Sequence, residues 1–384
     1  MTVSNDPIVQ IRELGQSPWC DHLSRELLES GQLARMVRAQ WITGLTSNPT
    51  IFHRAISSGH SYDAQIQDAA SRGLDVKAIY EELAVRDIRA AADVLRPVYD
   101  SSEQEDGFVS LEVSPDLAYD TAGSVQEGRR LWAAVDRPNL MIKIPATKAG
   151  LLAVTALLAE GINVNVTLVF GLRRYREVLE AHVEGLLQAK ANGLSLQAIA
   201  SVASFFVSRV DTLVDRLLDV KADVAANPTE RGRLQSLKGK AAIANAKAAR
   251  LGWELWRADE PMRSLLALGA QPQRLLWAST STKNPAYKDV VYVEELIGPD
   301  TVNTMPMETV VAFADHGVVR GATICEGVAE AAVVLTGLSA GRIKMETVAD
   351  ELESNGVRLF AESFRQLLEG LSAKTEALRT GALA

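Results

Sequence analysis

An α/β fold, a single (β/α)8 TIM barrel with extra C-terminal helices, is what this sequence predicts, on three observations. Eight short apolar or alternating runs recur along the chain, mostly separated by helical patterns, and strands alternating with helices build parallel sheets. The 384 residues give room for eight such units in one domain. Polar side chains that do not suit a core fall at the ends of several runs, where a barrel builds its active site. A doubly wound open sheet is the other arrangement compatible with the alternation. It often binds a nucleotide, but neither a G-x-G-x-x-G opening a helix nor a Walker A sequence occurs here. One barrel domain is therefore expected over residues 1–384, with additional helices around 211–260 and 324–384.

The elements follow in order. Residues 17–22 read as a short strand ending in Asp21, and Leu23, Leu27, Leu28 and Leu33 then share a helix face broken near Gly31. Trp41 opens a second strand, and Ser47-Asn48-Pro49 is a turn or the start of a helix. Residues 61–98 suit two helices broken at Gly73, with Asp75 as an N-cap. Phe108 to Val113 alternates as a strand does, and Ser114-Pro115 reads as a helix start. Asn139 to Ala146 is a buried strand carrying one lysine, Lys143, and an Ala/Leu-rich helix follows over 148–159. A strand over 161–170 places Asn163, Asn165 and Thr167 at period two, before a helix over 175–190. Residues 199–207 pass from strand to helix, and a long polar helical region fills 211–257 with a break at Asn227-Pro228. Short strands over 274–279 and 301–305 complete the set. From Ile324 onward the pattern is helical, with breaks expected near Gly337 and Asn355.

Composition narrows the function. The chain is 47% hydrophobic and 23% charged, and 40 Lys and Arg against 48 Asp and Glu leave a formal charge of −8. No basic block marks a nucleic-acid binder. No apolar run approaches the ~18 residues of a membrane helix, and the N-terminus lacks a signal-peptide pattern. Cys20 and Cys325 stand far apart and fit neither a disulfide framework nor a metal site, so a cytoplasmic protein with reduced thiols is expected. The five histidines, His22, His53, His60, His182 and His316, show no ligand spacing. No metal and no cofactor is expected.

Lys143 is the residue to explain, because lysine is among the side chains least often buried. It is either a strand-end lysine reaching solvent with its stem on apolar neighbours, or an amine held for chemistry. A desolvated neutral amine attacks a ketone and forms a Schiff base. At the ends of other strands stand Asp21, Thr46, Asn48, Glu112, Asn165, Thr167, Ser204 and the Ser279–Lys283 loop. Singly, each has an ordinary explanation: a helix cap for Asp21, turn chemistry for Asn48, a surface ion pair for Glu112, small-residue packing for Ser204. Together, one lysine, two acids and several hydroxyls and amides form a set suited to Schiff-base chemistry on a polyol. Arg209 and Lys283 add what a phosphate needs.

Five stretches carry a family resemblance: Gly44 to Phe52, Ser110 to Asp120, Leu140 to Thr147, Gly161 to Phe170, and Trp277 to Tyr287. They resemble the transaldolase family, class I Schiff-base enzymes of the pentose phosphate pathway with a (β/α)8 fold, and the likeness runs in order from about residue 18 to about residue 316. A longer-chain branch of that family is the better likeness. The resemblance implies that Lys143 is the Schiff-base lysine and Asp21 the acid/base of carbon–carbon cleavage. It implies that Glu112 and Thr167 position a water for proton relay. Thr46, Asn48 and Asn165 would orient the dihydroxyacetone moiety. Ser204, Phe206, Arg209, Ser279, Ser281 and Lys283 would form the sugar and phosphate side, with Lys283 standing where many shorter relatives have an arginine in Ser-Phe-Arg.

The reaction implied moves dihydroxyacetone from sedoheptulose 7-phosphate or fructose 6-phosphate to glyceraldehyde 3-phosphate or erythrose 4-phosphate. Alternatives are a fructose-6-phosphate aldolase releasing free dihydroxyacetone and a non-catalytic sugar-phosphate-binding barrel. Such aldolases carry tyrosine where this chain has Phe206 and glutamine where it has Glu112, so both residues favour transfer. The partners expected are sugar phosphates, with no nucleic acid and no membrane, for a monomer or homodimer.

Overall fold

The computed structural model describes residues 6–380. Eight parallel strands close on themselves in chain order: β1 Gln16–Cys20, β2 Gly44–Thr46, β3 Val109–Glu112, β4 Leu140–Pro145, β5 Val164–Val169, β6 Ser201–Phe206, β7 Arg274–Ala278 and β8 Thr301–Met305. β8 pairs with β1, Gln16 opposite Thr301 through Cys20 opposite Met305, so no edge is left open. The strands are buried on both faces, which is why they read as apolar runs with few polar interruptions. Closure in this order is the (β/α)8 barrel that the alternation of strands and helices predicts.

Side-chain caps set several of the joints between elements. Asn48 accepts the Ile51 amide at 3.1 Å and starts helix Pro49–Ser57. Asp75 accepts the Ala78 amide at 2.8 Å, and Gly73 at φ +77° separates Asp63–Ser71 from Val76–Ser101, as the sequence suggests. The Asn227 cap likewise opens Pro228–Gln235 within the 208–266 helical region.

Three expectations are corrected. Pro115 opens only a 3-10 turn, Pro115–Leu117; the helix proper is Thr121–Val135, because the extended Asp120 accepts the Gly123 amide at 3.0 Å and restarts the chain there. Gly337 itself lies inside helix Val328–Ala340, where a Cβ would meet Leu237 at 3.1 Å, and the break expected near it falls just past the helix end, at Gly341. Asn355 lies inside an unbroken helix of 36 residues, Met345–Thr380. Its neighbour Gly356 sits where a Cβ would be 2.9 Å from Leu168 of β5, so the glycine lets the helix lie close on the barrel. That helix also contacts Pro49–Ser57, Asp63–Ser71 and Val76–Ser101. Among the described residues no helix is long and apolar enough to cross a membrane. No group of three or more His, Cys, Asp and Glu side chains among them is placed to hold a metal ion.

Candidate active site

Parallel register sets the catalytic candidates at one level. Glu112 of β3 is opposite Lys143 of β4, and Lys143 is opposite Asn165 of β5. Lys143 is 4% exposed. Its amine donates to the Ser47 carbonyl at 3.2 Å and lies 3.6 Å from Glu112 Oε2, an ion-pair distance just beyond a direct hydrogen bond. Burial pushes the Glu112 carboxyl up to about 7; Lys143 pulls against that shift, and the Asp21 charge adds to it. A carboxyl poised there takes or gives a proton near neutrality.

Thr167 reaches the site through an irregularity. The β5–β6 register shifts between Val166 and Val169, and Leu168 adopts a left-handed φ of +61°. Such a bulge re-aims the side chains beside it. Thr167 Oγ1 and Glu112 Oε2 are both buried without a hydrogen-bond partner among the described residues. A buried polar atom needs a partner, so both atoms stand ready for a water or a substrate hydroxyl.

Asp21 is one residue past β1. Its amide donates to the Met305 carbonyl at 2.8 Å. It does not cap the next helix, because Ser24 does. Thr46 Oγ1 donates to Asp21 Oδ1 at 2.6 Å and is 2.7 Å from Thr304 Oγ1. Thr46 has one hydroxyl proton and gives it to Asp21, so the Thr304 hydroxyl is the donor to Thr46. A buried Arg25–Asp87 ion pair at 2.7 Å, with Tyr62 on the other Asp87 oxygen, fixes the segment that follows Asp21.

A second group of side chains forms a cationic rim. The Arg209 guanidinium carbon lies 5.3 Å from the centre of the Phe206 ring and 6.0 Å from that of Phe360. Burial lowers the Arg209 pKa. Lys283 donates to Ser281 Oγ at 2.7 Å. Its pKa falls first by burial and then by the neighbouring charges of Arg209 and Arg54. Neither Arg209 nor Lys283 has an ion-pair partner among the described residues. Ser279, at φ +57° just past β7, turns its hydroxyl to within 2.9 Å of that of Ser208.

The two groups face one cavity of about 550 Å³. Asp21, Thr46, Asn48, Lys143, Thr167, Ser204, Phe206, Arg209, Ser279, Ser281 and Lys283 line it. Glu112 and Asn165 stand behind that wall. Asn165 accepts from Ser204 at 2.7 Å and donates to Ser110 at 3.0 Å, so it acts on the cavity through Ser204. Sequence reasoning missed His22, Arg54, Thr304, Glu308 and Phe360, which also line the cavity. Thr304 is the last residue but one of β8 and was readable by the same strand-end rule. Phe360 comes from the last helix and has no local signal.

A closed parallel barrel with a buried amine beside a near-neutral carboxyl, and unpaired cations across the same cavity, has the equipment of an enzyme for anionic carbonyl compounds. The chain matches the family described as Transaldolase/Fructose-6-phosphate aldolase over residues 18–371, and it belongs to that family. It is 49% identical over 366 residues to a protein named Transaldolase from Saccharopolyspora erythraea, covering 95% of this chain and 97% of the relative. It is 50% identical over 364 residues to the Transaldolase of Parafrankia sp., covering 94% and 96% respectively. The Transaldolase of Mycobacterium tuberculosis is 47% identical over 370 residues, covering 96% of this chain and 97% of the relative.

Proposed function

We propose that the protein is a transaldolase that moves a dihydroxyacetone unit between sugar phosphates through a Schiff base on Lys143. The donors would be sedoheptulose 7-phosphate or fructose 6-phosphate, and the acceptors glyceraldehyde 3-phosphate or erythrose 4-phosphate, as in the pentose phosphate pathway. The observation that carries this reading is Lys143 itself, a buried lysine 3.6 Å from Glu112 on the wall of a cavity with a cationic rim. The chain works on this reading as one barrel domain.

The amine of Lys143 adds to the C2 ketone, and loss of water gives an iminium. Glu112 and Thr167 hold the water that carries protons during this step and its reversal. Asp21 takes the C4 hydroxyl proton as the C3–C4 bond breaks. The bonding pair moves into the iminium and leaves an enamine on Lys143, while the first aldehyde departs. The enamine carbon then attacks the second aldehyde, Asp21 returns the proton to the new hydroxyl, and water releases the product ketose. Asn48 and Asn165, the latter acting through Ser204, orient the three-carbon unit. Arg209, Lys283 and the serines at 279 and 281 take the phosphate, because a cation without an ion-pair partner gains by meeting an anion.

Borohydride reduction in the presence of fructose 6-phosphate, followed by digestion and mass spectrometry, tests the reading. A reduced dihydroxyacetone adduct on Lys143 is expected. Folded protein without that adduct would refute the mechanism. Rapid formation of free dihydroxyacetone without an acceptor would instead mark an aldolase.

A further inference from the structure

The roof of the Lys143 pocket comes from far along the chain. Phe360 lies on helix Met345–Thr380, is 7% exposed and lines the active-site cavity. Its ring centre is 5.8 Å from Lys143 Nζ and 6.0 Å from the Arg209 guanidinium carbon. The ring therefore lies near both the amine and the arginine of the cationic rim, and none of the catalytic steps above uses it. Its position is fixed on several sides. Ser363 accepts from Thr50 at 3.0 Å, Glu353 pairs with Arg174 at 2.9 Å, and Lys374 pairs with Asp63 at 2.7 Å. Phe364, one turn on, packs edge-to-face on Tyr80 at 5.4 Å. Aromatic residues at this spacing share one helix face; here one serves the core and the other the cavity.

We propose that Phe360 is a specificity-determining residue: its ring closes the Lys143 pocket to bulk water, so the three-carbon unit is held for transfer and not released. The inference rests on the Schiff-base reading of Lys143. Premature release has a definite chemistry. A proton from solvent must add to the enamine carbon, giving an iminium. Water must then add to that iminium carbon, and the C–N bond breaks to give free dihydroxyacetone and the lysine amine. Transfer needs no solvent proton at that carbon, because the carbon bonds to the acceptor aldehyde. Excluding bulk water therefore slows release without slowing the carbon–carbon step. The face of an aromatic ring also favours a positive charge within about 6 Å, so the same ring suits the iminium.

The test is a partition ratio: free dihydroxyacetone formed from fructose 6-phosphate per transfer to erythrose 4-phosphate. Phe360→Ala is expected to raise the ratio about tenfold by admitting water. Phe360→Leu keeps most of the bulk, so the ratio should rise less. Loss of the ring face should lower its borohydride-trapped fraction about two- to fivefold. A merely structural role would reduce the amount of active protein and leave the ratio alone. An unchanged ratio in a folded alanine variant overturns the proposal. If that variant does not fold, an unchanged ratio in the leucine variant does so. The wild-type protein is trapped in parallel: a Lys143 adduct with unmoved ratios sinks the role of Phe360 alone, and no adduct sinks the Schiff-base reading and this proposal together.

Discussion

The amine pocket and the cationic rim share a cavity but balance their charges differently. Lys143 has its counter-charge built in, Glu112 at 3.6 Å, and burial moves the carboxyl partner up to about 7. Arg209 and Lys283 have no such partner among the described residues, and burial lowers both of their pKa values. Removing one partner of a buried pair leaves a costly lone charge, whereas a partly exposed cation without a partner is free to meet an anion. The pocket is thus arranged to change its own protonation, and the rim is arranged to be completed by an anion.

The sharpest way to break this contrast is to remove the amine. Lys143→Met should lower kcat on the order of 10³-fold or more while leaving inorganic phosphate able to bind the rim; a variant with full turnover would end the argument. Next comes the carboxyl. Glu112→Gln should cost about 10²-fold in kcat, and pH profiles give a finer reading. Below about 7 the raised Glu112 is protonated and accepts no proton. Wild-type kcat/KM should therefore fall as pH drops through about 7, and the glutamine variant should be flat there. Removing either rim cation should act on binding. Arg209→Met or Lys283→Met should raise KM for fructose 6-phosphate roughly ten- to hundredfold, with little effect on unphosphorylated fructose. Equal losses on both sugars would remove the distinction between pocket and rim. The smallest effect is expected at the roof. Gly356→Val would drive a side chain against Leu168, 2.9 Å from the Cβ position. It should destabilise by about 1–3 kcal/mol, read as a lower Tm, with slightly more free dihydroxyacetone.

The barrel was legible because the strands are buried on both faces and several helices begin at polar caps, Asn48, Asp75, Asp120, Thr147 and Asn227 among them. The pocket was legible because Lys143, Glu112, Asp21 and Thr167 are polar groups at the ends of apolar runs, where a core has no use for them. The two helices at the end of the described chain were not. Gly337 and Asn355 look like breaks because glycine and asparagine weaken an isolated helix. Two glycines of these helices, Gly337 and Gly356, are instead answers to neighbours: Leu237 for one and Leu168 for the other. No local pattern encodes those contacts. Phe360 was hidden for a related reason. An aromatic residue at helical spacing reads as core, and its partner Phe364 is core; only tertiary placement separates the two. Arg54 was passed over because an exposed arginine on a helix is ordinary until the cavity beside it is known.

Chain order gives the roof a consequence for biosynthesis. A ribosome delivers the amino end first. β1 must wait for β8 to close the barrel, since Gln16 to Cys20 pairs with Thr301 to Met305. The helix bearing Phe360 emerges later still. A nascent chain thus holds Lys143, Glu112 and Asp21 before anything covers them. Synthesis of Lys143 and of the helix bearing Phe360 are separate events, and on the roles proposed above a message cut short between them would leave the amine open to solvent and metabolites.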